Sequence, residues 1–523
     1  MGMSTEADPP RAQGGQNVAR QGGIVASMTL ISRLSGFLRD MAMSHVLGAG
    51  AVADAFFVAF RIPNFFRRLF AEGAFQQAFV PVLARYRDAP RTAYLEFVAA
   101  VAGNLGLVLA GVVALGVVFA PGLIHLFAPG YRDDPEQFTR VAEMTRITFP
   151  YLGFISLTAF AAALLNSHGR YAVPAFTPVL LNLSLLGAVA LGLTFAIDPV
   201  MTLAWGVFVA GVLQFAFQLP FLGRLGLVVM PRPTRHHDGV AEVGRLLVPA
   251  VIASSASQIN ALVDTVVAST LIAGSISWIY YADRLFELPI GLVAVALGTV
   301  LLPNLSRLAA TGDQRGFDAT LDWGVRMALL FGLPASAALY LLALPFVATL
   351  FQHGEMTALD ARMAALALQA FAIGLVPLVL VKVSAPAYFA RKDTQTPFRI
   401  ALVAVATNIV LNLATFRWFG HVGLAFATTA SAFVNAGLLV RGLVHAGYRP
   451  GPAVRRTAAR AAVGTLVMIL ALALVLPPDA RWQMALLPQR LLWLVPGIML
   501  GALVYGAVLY ACGERPRDLR HRV

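Results

Sequence analysis

Ser32–Phe79 reads SRLSGFLRDMAMSHVLGAGAVADAFFVAFRIPNFFRRLFAEGAFQQAF. Two apolar segments run through it, yet they carry Arg33, Arg39, Asp40, Asp54, Arg61, Arg67, Arg68 and Glu72. A charge in a bilayer interior is costly, so charged residues in membrane segments face protein or an aqueous cavity and mark a substrate path. Whether the stretch has that meaning depends on the rest of the chain.

The chain has 523 residues, 58% of them hydrophobic and 12% charged, with a mean hydropathy of +0.74. Apolar runs of about 20 residues recur along its length, each long enough to cross a hydrocarbon core of roughly 30 Å. The fold class is therefore an all-α polytopic membrane protein, because lipid tolerates no unpaired backbone and the pattern lacks the alternation of a barrel. A formal charge of +13 raises the question of nucleic acid. The basic residues, however, sit in short gaps between apolar runs, where membrane topology accounts for them, so no nucleic-acid partner is expected. Lys382 and Lys392 are the two lysines, a scarcity that fits a codon bias in an Ala- and Arg-rich sequence. With Cys512 as the single cysteine, neither an intrachain disulfide nor a cysteine metal cluster can form.

Residues 1–20 are polar and lead into a long charged helix, which reads as a disordered cytoplasmic tail rather than a signal peptide. About fourteen spans follow, from 22–47 and 52–73 to 457–476 and 489–511. The even count puts both termini on one side, and the excess of Arg on that side makes it cytoplasmic. Residues 74–92 are expected to form an amphipathic helix on the inner surface.

Residues 24–225 align weakly with 250–447: AFFVAFR, ending at Arg61, matches WIYYADR, ending at Arg284, and GRYAVPAFTPVLLNLSLL resembles ARKDTQTPFRIALVAVATNIVLNL at a similar offset. Two six-helix lobes related by duplication are expected, 21–226 and 240–447, followed by two additional helices over 455–511 and a basic cytoplasmic tail over 512–523. Transporters place substrate sites between such halves. Prolines at 63, 174, 178, 249, 289, 334, 377 and 386 would bend several spans.

Two constellations could carry chemistry. Arg33, Arg39, Arg67 and Arg284 are the candidates for a cavity, since guanidinium forks bind phosphate oxygens bidentately and stay charged when partly desolvated. Asp40, Asp54, Glu72, Asp283 and Glu287 would then position arginines or couple protons. The competing reading is internal pairing, for which Arg68–Glu72 and Arg284–Glu287 have helical spacing. The second set is Asp264, Asn408, Asn412 and Thr428. One carboxylate with neutral oxygens suits a hard monovalent cation or a proton, but the same residues could simply hydrogen-bond helices together. Enzymatic chemistry is poorly supported, as no loop gathers paired carboxylates or metal ligands.

SRLSGFLRD, GAGAVADAFFVAFRIPNFFRRLFAEGAFQQAFVP, NSHGRYAVPAFTPVLLN, SWIYYADRLFELPIGLVAVALGTVLLP and VKVSAPAYFARKDTQTP resemble the MurJ (MviN) family of lipid II flippases, in the multidrug/oligosaccharidyl-lipid/polysaccharide exporter superfamily, from about residue 20 to the end. The resemblance implies two lobes around a V-shaped central cavity, and a lipid-tail groove formed by the last two helices. It implies translocation of undecaprenyl-pyrophosphate-linked disaccharide-pentapeptide from the inner to the outer leaflet of the cytoplasmic membrane by alternating access, for peptidoglycan synthesis. Its essential arginines fall on Arg33, Arg39, Arg67 and Arg284, with Asp40 and Asp54 as companions. A sodium site in some members corresponds to Asp264, Asn408, Asn412, Leu424 and Thr428, with Asn412 standing where an Asp is usual. No cofactor is expected, sodium or proton coupling stays open, and the partners are lipid II and membrane lipids, with the protein a monomer. The competing functions are a drug antiporter or flippase of another lipid-linked saccharide, and, further off, an enzyme acting on lipid-linked sugars.

Overall fold

The computed structural model describes residues 12–68, 74–234 and 236–515, and among them every regular element is a helix. Hydrocarbon forces this outcome, because a helix satisfies its backbone hydrogen bonds within one segment. The quoted stretch forms α1 (Ala12–Leu47), α2 (Ala51–Arg67) and α3 (Phe75–Arg87). There follow α4 (Arg91–Val118), α5 (Ala120–Phe127), α6 (Pro135–Thr148), α7 (Tyr151–Ser167), α8 (Ala172–Phe195), α9 (Pro199–Arg224) and α10 (Asp238–Ser269). Then come α11 (Ser275–Thr311), α12 (Gln314–Leu341), α13 (Ala343–Leu350), α14 (Ala358–Ile373), α15 (Leu375–Ala390) and α16 (Gln395–His445). The chain closes with α17 (Pro452–Val475), α18 (Asp479–Met484) and α19 (Leu487–Ala511).

Among the described residues, eight helical stretches are long and apolar enough to cross a membrane, or nine if α14 and α15, bent by 41° at their junction, count as one span. The chain is a multi-pass membrane protein. Its helices break where the backbone demands it. The apolar run over 138–165 is divided between α6 and α7 at Pro150, which has no N–H to donate. Within α16, Gly420 has φ +55° and ψ −135°, a conformation open to glycine, so its 51 residues form two helices rather than one rod of about 77 Å.

The chain divides into two compact units. Among the described residues, one takes in those up to Met43, Ala59–Ile124 and Phe138–Gln258; the other takes in Ser44–Val58, His125–Gln137 and those from Ile259 on. In the first, α3 is amphipathic as its sequence indicates, burying Phe75, Ala78, Phe79, Val82 and Leu83. Phe79 and Tyr86 stack on Phe97 of α4, with ring centroids 5.9 and 4.2 Å away. The segment after α9 crosses α4 closely: Arg232 N–H donates to the Ala99 carbonyl at 3.0 Å, and a Cβ on Gly103 would lie 2.3 Å from the Pro233 nitrogen.

In the second unit, α11, α12 and α15 surround a core that includes Leu297, Leu301, Phe317, Leu321, Val379 and Val383. The final helices are fastened to it by charge. Glu514, just past α19, accepts from Arg326 Nη2 of α12 at 2.8 Å, and from Thr457 Oγ1 and Arg460 Nη1 of α17 at 3.0 and 2.5 Å. At the other end of α19, buried Arg490 donates to the carbonyls of Trp482, Gln483, Ala348 and Gln352. The last two of these carbonyls lie at the C-terminal end of α13, where a helix favours a cation.

Burial pushes the Glu514 carboxyl upward, but its bonds to Arg326, Arg460 and Thr457 outweigh that and hold it below the usual carboxylate range. A depressed folded-state value contributes stability above the unfolded value near 4.5 and loses it as the pH falls through the folded value. Glu514→Gln is expected to cost about 1–3 kcal/mol at neutral pH, the low side for a broken buried pair because Arg460 stays partly exposed. Denaturation in detergent should show the gap between wild type and variant closing below about pH 4.5; a gap independent of pH would contradict this assignment.

Candidate functional site

Arg39 and Asp40 are adjacent on α1 and both buried, at 5% and 2% exposure. Arg39 donates from Nε and Nη2 to Asp40 Oδ1 at 3.0 and 2.6 Å, and from Nη1 to Asn182 Oδ1 of α8 at 3.0 Å. The Asn182 amide turns back to α1, donating from Nδ2 to the Ser32 carbonyl at 3.0 Å and to Ser35 Oγ at 2.9 Å. One carboxamide therefore both anchors α1 to α8 and completes a cage around a guanidinium. Asn182 lies in one of the repeated blocks, and its only mark in the sequence is that it is a lone asparagine in an apolar helix.

Arg33 lies on an exposed face of α1. Arg67, the last residue of α2, is half-buried and donates from Nε to Asn64 Oδ1 at 3.0 Å, and Asn64 donates to the Phe60 carbonyl at 2.8 Å. Arg68 is exposed, while Glu72 lies outside the described residues.

In the second unit, Arg284 sits 5.0 Å above the Tyr280 ring. It donates from Nη2 to the Tyr280 hydroxyl at 3.2 Å and from Nη1 to Glu287 Oε2 at 3.3 Å. The Glu287 side chain is 54% exposed, so this pair is worth roughly 0–1 kcal/mol, and a multiply charged anion can compete for the guanidinium. Asp283 is half-buried on the same helix.

Asp54 has a different setting from the one its spacing suggests. It is buried, and its Oδ2 accepts from Gly274 N–H at 2.7 Å while Oδ1 accepts from Ser277 N–H and Oγ at 2.8 and 2.5 Å. A carboxylate over the first turn of α11 answers orphan backbone donors and the positive end of the helix dipole. Around it, the Tyr281 hydroxyl donates to the Gly48 carbonyl at 3.1 Å, Glu355 N–H donates to the His45 carbonyl at 2.9 Å, and Tyr280 stacks on Phe57 at 4.0 Å. Residues 44–58 are thus fastened to the start of α11 by backbone recognition, with Asp54 as the charged member.

The second constellation is also brought together. Asn412 Nδ2 donates to Asp264 Oδ1 at 2.6 Å and to Asn408 Oδ1 at 2.9 Å. Asn408 Nδ2 donates to Thr428 Oγ1 at 3.3 Å, and Thr428 donates to the Leu424 carbonyl at 3.1 Å. Both asparagines are fully buried, one turn apart on α16. Among the described residues no group of three or more His, Cys, Asp or Glu could hold a metal ion.

The family model described as "Lipid II flippase MurJ" matches residues 43–496. A probable lipid II flippase MurJ of Vibrio cholerae serotype O1 is 43% identical over 519 residues, covering 97% of this chain and 98% of that protein. One from Haemophilus influenzae is 43% identical over 512 residues, covering 94% and 99%. Among solved structures, a lipid II flippase MurJ in an inward closed conformation superposes with a TM-score of 0.79 at 25% identity, covering 95% of this chain and 99% of that one. An inward-facing multidrug resistance MATE transporter of the MOP superfamily superposes at 0.66 with 14% identity over 83% of this chain and 99% of that one, which speaks to fold alone. By family match, relatives and structure together, the chain belongs to the lipid II flippase MurJ family.

Proposed function

We propose that this protein translocates lipid II from the inner to the outer leaflet of the cytoplasmic membrane, with both termini in the cytoplasm, acting as a monomer. The observation that carries the reading is a set of guanidinium groups on apolar helices: Arg33, Arg39 and Arg67 in one unit and Arg284 in the other. Their chemistry suits a pyrophosphate, which offers the planar, bidentate acceptors that arginine binds best. A cationic drug would call for acidic or aromatic linings instead. The family is one of transporters, and an enzyme acting on lipid-linked sugars is not favoured.

The partners seen at each arginine suggest different duties. Arg284 and Arg67 are half-buried and held by groups that a phosphate can displace or supplement, Glu287 in one case and Asn64 in the other. Arg39 is caged by Asp40 and Asn182, so it engages substrate only in a state where that cage loosens, and otherwise sets the position of α1. A ligand drives such a change only through different affinities for the two states. An inside-negative potential favours outward passage of each negative charge by about 2.3 kcal/mol per 100 mV.

In cells depleted of their native flippase, this chain should restore exposure of lipid II at the outer leaflet, measured by its accessibility to an externally added lipid II hydrolase. Arg284→Ala should reduce that exposure at least about tenfold, the equivalent of 1.4 kcal/mol. Failure of the wild-type chain to restore exposure would overturn the proposal. For Asn182, replacement by Leu should lower exposure much as Arg39→Ala does, and the Asn182→Leu/Arg39→Ala double variant should be no worse than either alone. Additive losses would show that the two residues do not act as a unit.

A further inference from the structure

We infer that in this chain the carboxamide of Asn412 occupies the place of a bound cation in the α10–α16 cluster, so that the cluster is complete without sodium. Asp264 Oδ1, Asn408 Oδ1, Thr428 Oγ1 and the Leu424 carbonyl form a run of oxygens of the kind that surrounds a hard monovalent ion. Two of those oxygens, from Asp264 and Asn408, converge on one atom. That atom is Asn412 Nδ2, at 2.6 and 2.9 Å. An amide nitrogen carries two hydrogens, and here each has an acceptor.

The orientation of this amide follows from its neighbours. Turned the other way, the Asn412 oxygen would face a carboxylate oxygen and a carbonyl oxygen with no hydrogen between them, an arrangement that needs a cation or a proton on Asp264. In the observed orientation the Asn412 Oδ1 is buried without a hydrogen-bond partner. An unsatisfied buried acceptor is costly, and here it accompanies the turning of both amide hydrogens onto Asp264 and Asn408. The bond to Asp264 is charge-assisted, which makes it the strong member of the pair. A carboxylate at position 412 would reverse this logic, because two carboxylates at such a distance repel unless one is protonated or a cation lies between them. The identity of one residue therefore decides whether the cluster needs an ion.

The test is the thermal midpoint of the purified full-length protein in detergent, measured at equal ionic strength in sodium, potassium and choline chlorides, since an ion that binds the folded state raises its stability by mass action. The wild-type midpoint should be the same in all three salts. Asn412→Asp should melt lower than wild type in choline chloride and recover by several degrees in sodium. A sodium-specific rise in the wild type, abolished by Asp264→Asn, would overturn the inference. So would an Asn412→Asp protein as stable as wild type in choline and indifferent to sodium. Should that variant fail to fold in every salt, the salt comparison on the wild type decides the matter alone.

Discussion

A guanidinium in an apolar helix cannot be left without partners, and the handling of that cost organises much of this protein. Arg39 is buried beside Asp40, and the pair alone would repay little of its desolvation. Asn182 supplies a further acceptor from α8, and donates its own N–H groups to Ser32 and Ser35. The positions of α1 and α8 thus depend on satisfying one charge. The same solution recurs elsewhere, with different partners. Arg490 is satisfied by backbone carbonyls, including those at the end of α13, and Arg326 and Arg460 share Glu514.

These arrangements differ in how easily they yield, and that difference bears on function. Arg490 and the Glu514 group join several helices and would cost too much to break during a transport cycle. Arg284, stacked on Tyr280 and paired with a half-exposed Glu287, can exchange its acceptor for a phosphate at little cost. Asp54 lies between these extremes. Its bonds are to backbone N–H groups and one hydroxyl at the start of α11, an assembly that can form and dissolve as a unit without stranding another charge. In the Asp264–Asn412 cluster a carboxylate is answered by an amide, which also donates to Asn408.

The sequence made the helical class legible, because twenty-residue apolar runs admit one interpretation in lipid. It also made α3 legible, through the spacing of Phe75, Phe79, Val82 and Leu83, and it placed Asn408 and Asn412 on one helix face. Asn182, Arg490 and Glu514 escaped, since each has partners 54 to 188 positions away in the chain, even though Arg490 also reaches Trp482 and Gln483 nearby, and no periodic pattern announces them. The role of Asp54 was hidden for a related reason. Acid and arginine spacing suggests ion pairs, whereas this carboxylate answers backbone donors, which every residue possesses and no sequence motif marks. The break at Pro150 shows the converse, local chemistry that a hydropathy pattern averages away, whereas the separate spans 397–416 and 421–445 read from the sequence are divided at Gly420 as expected.

The central claim is that these arginines receive a pyrophosphate. The direct measurement is the affinity of the purified protein for lipid II against undecaprenyl monophosphate, in wild type and in Arg67→Gln and Arg284→Gln variants whose thermal midpoints are unchanged. The account predicts that wild type prefers the pyrophosphate-linked lipid and that each variant loses most of that preference. Variants that bind both lipids as the wild type does would contradict it.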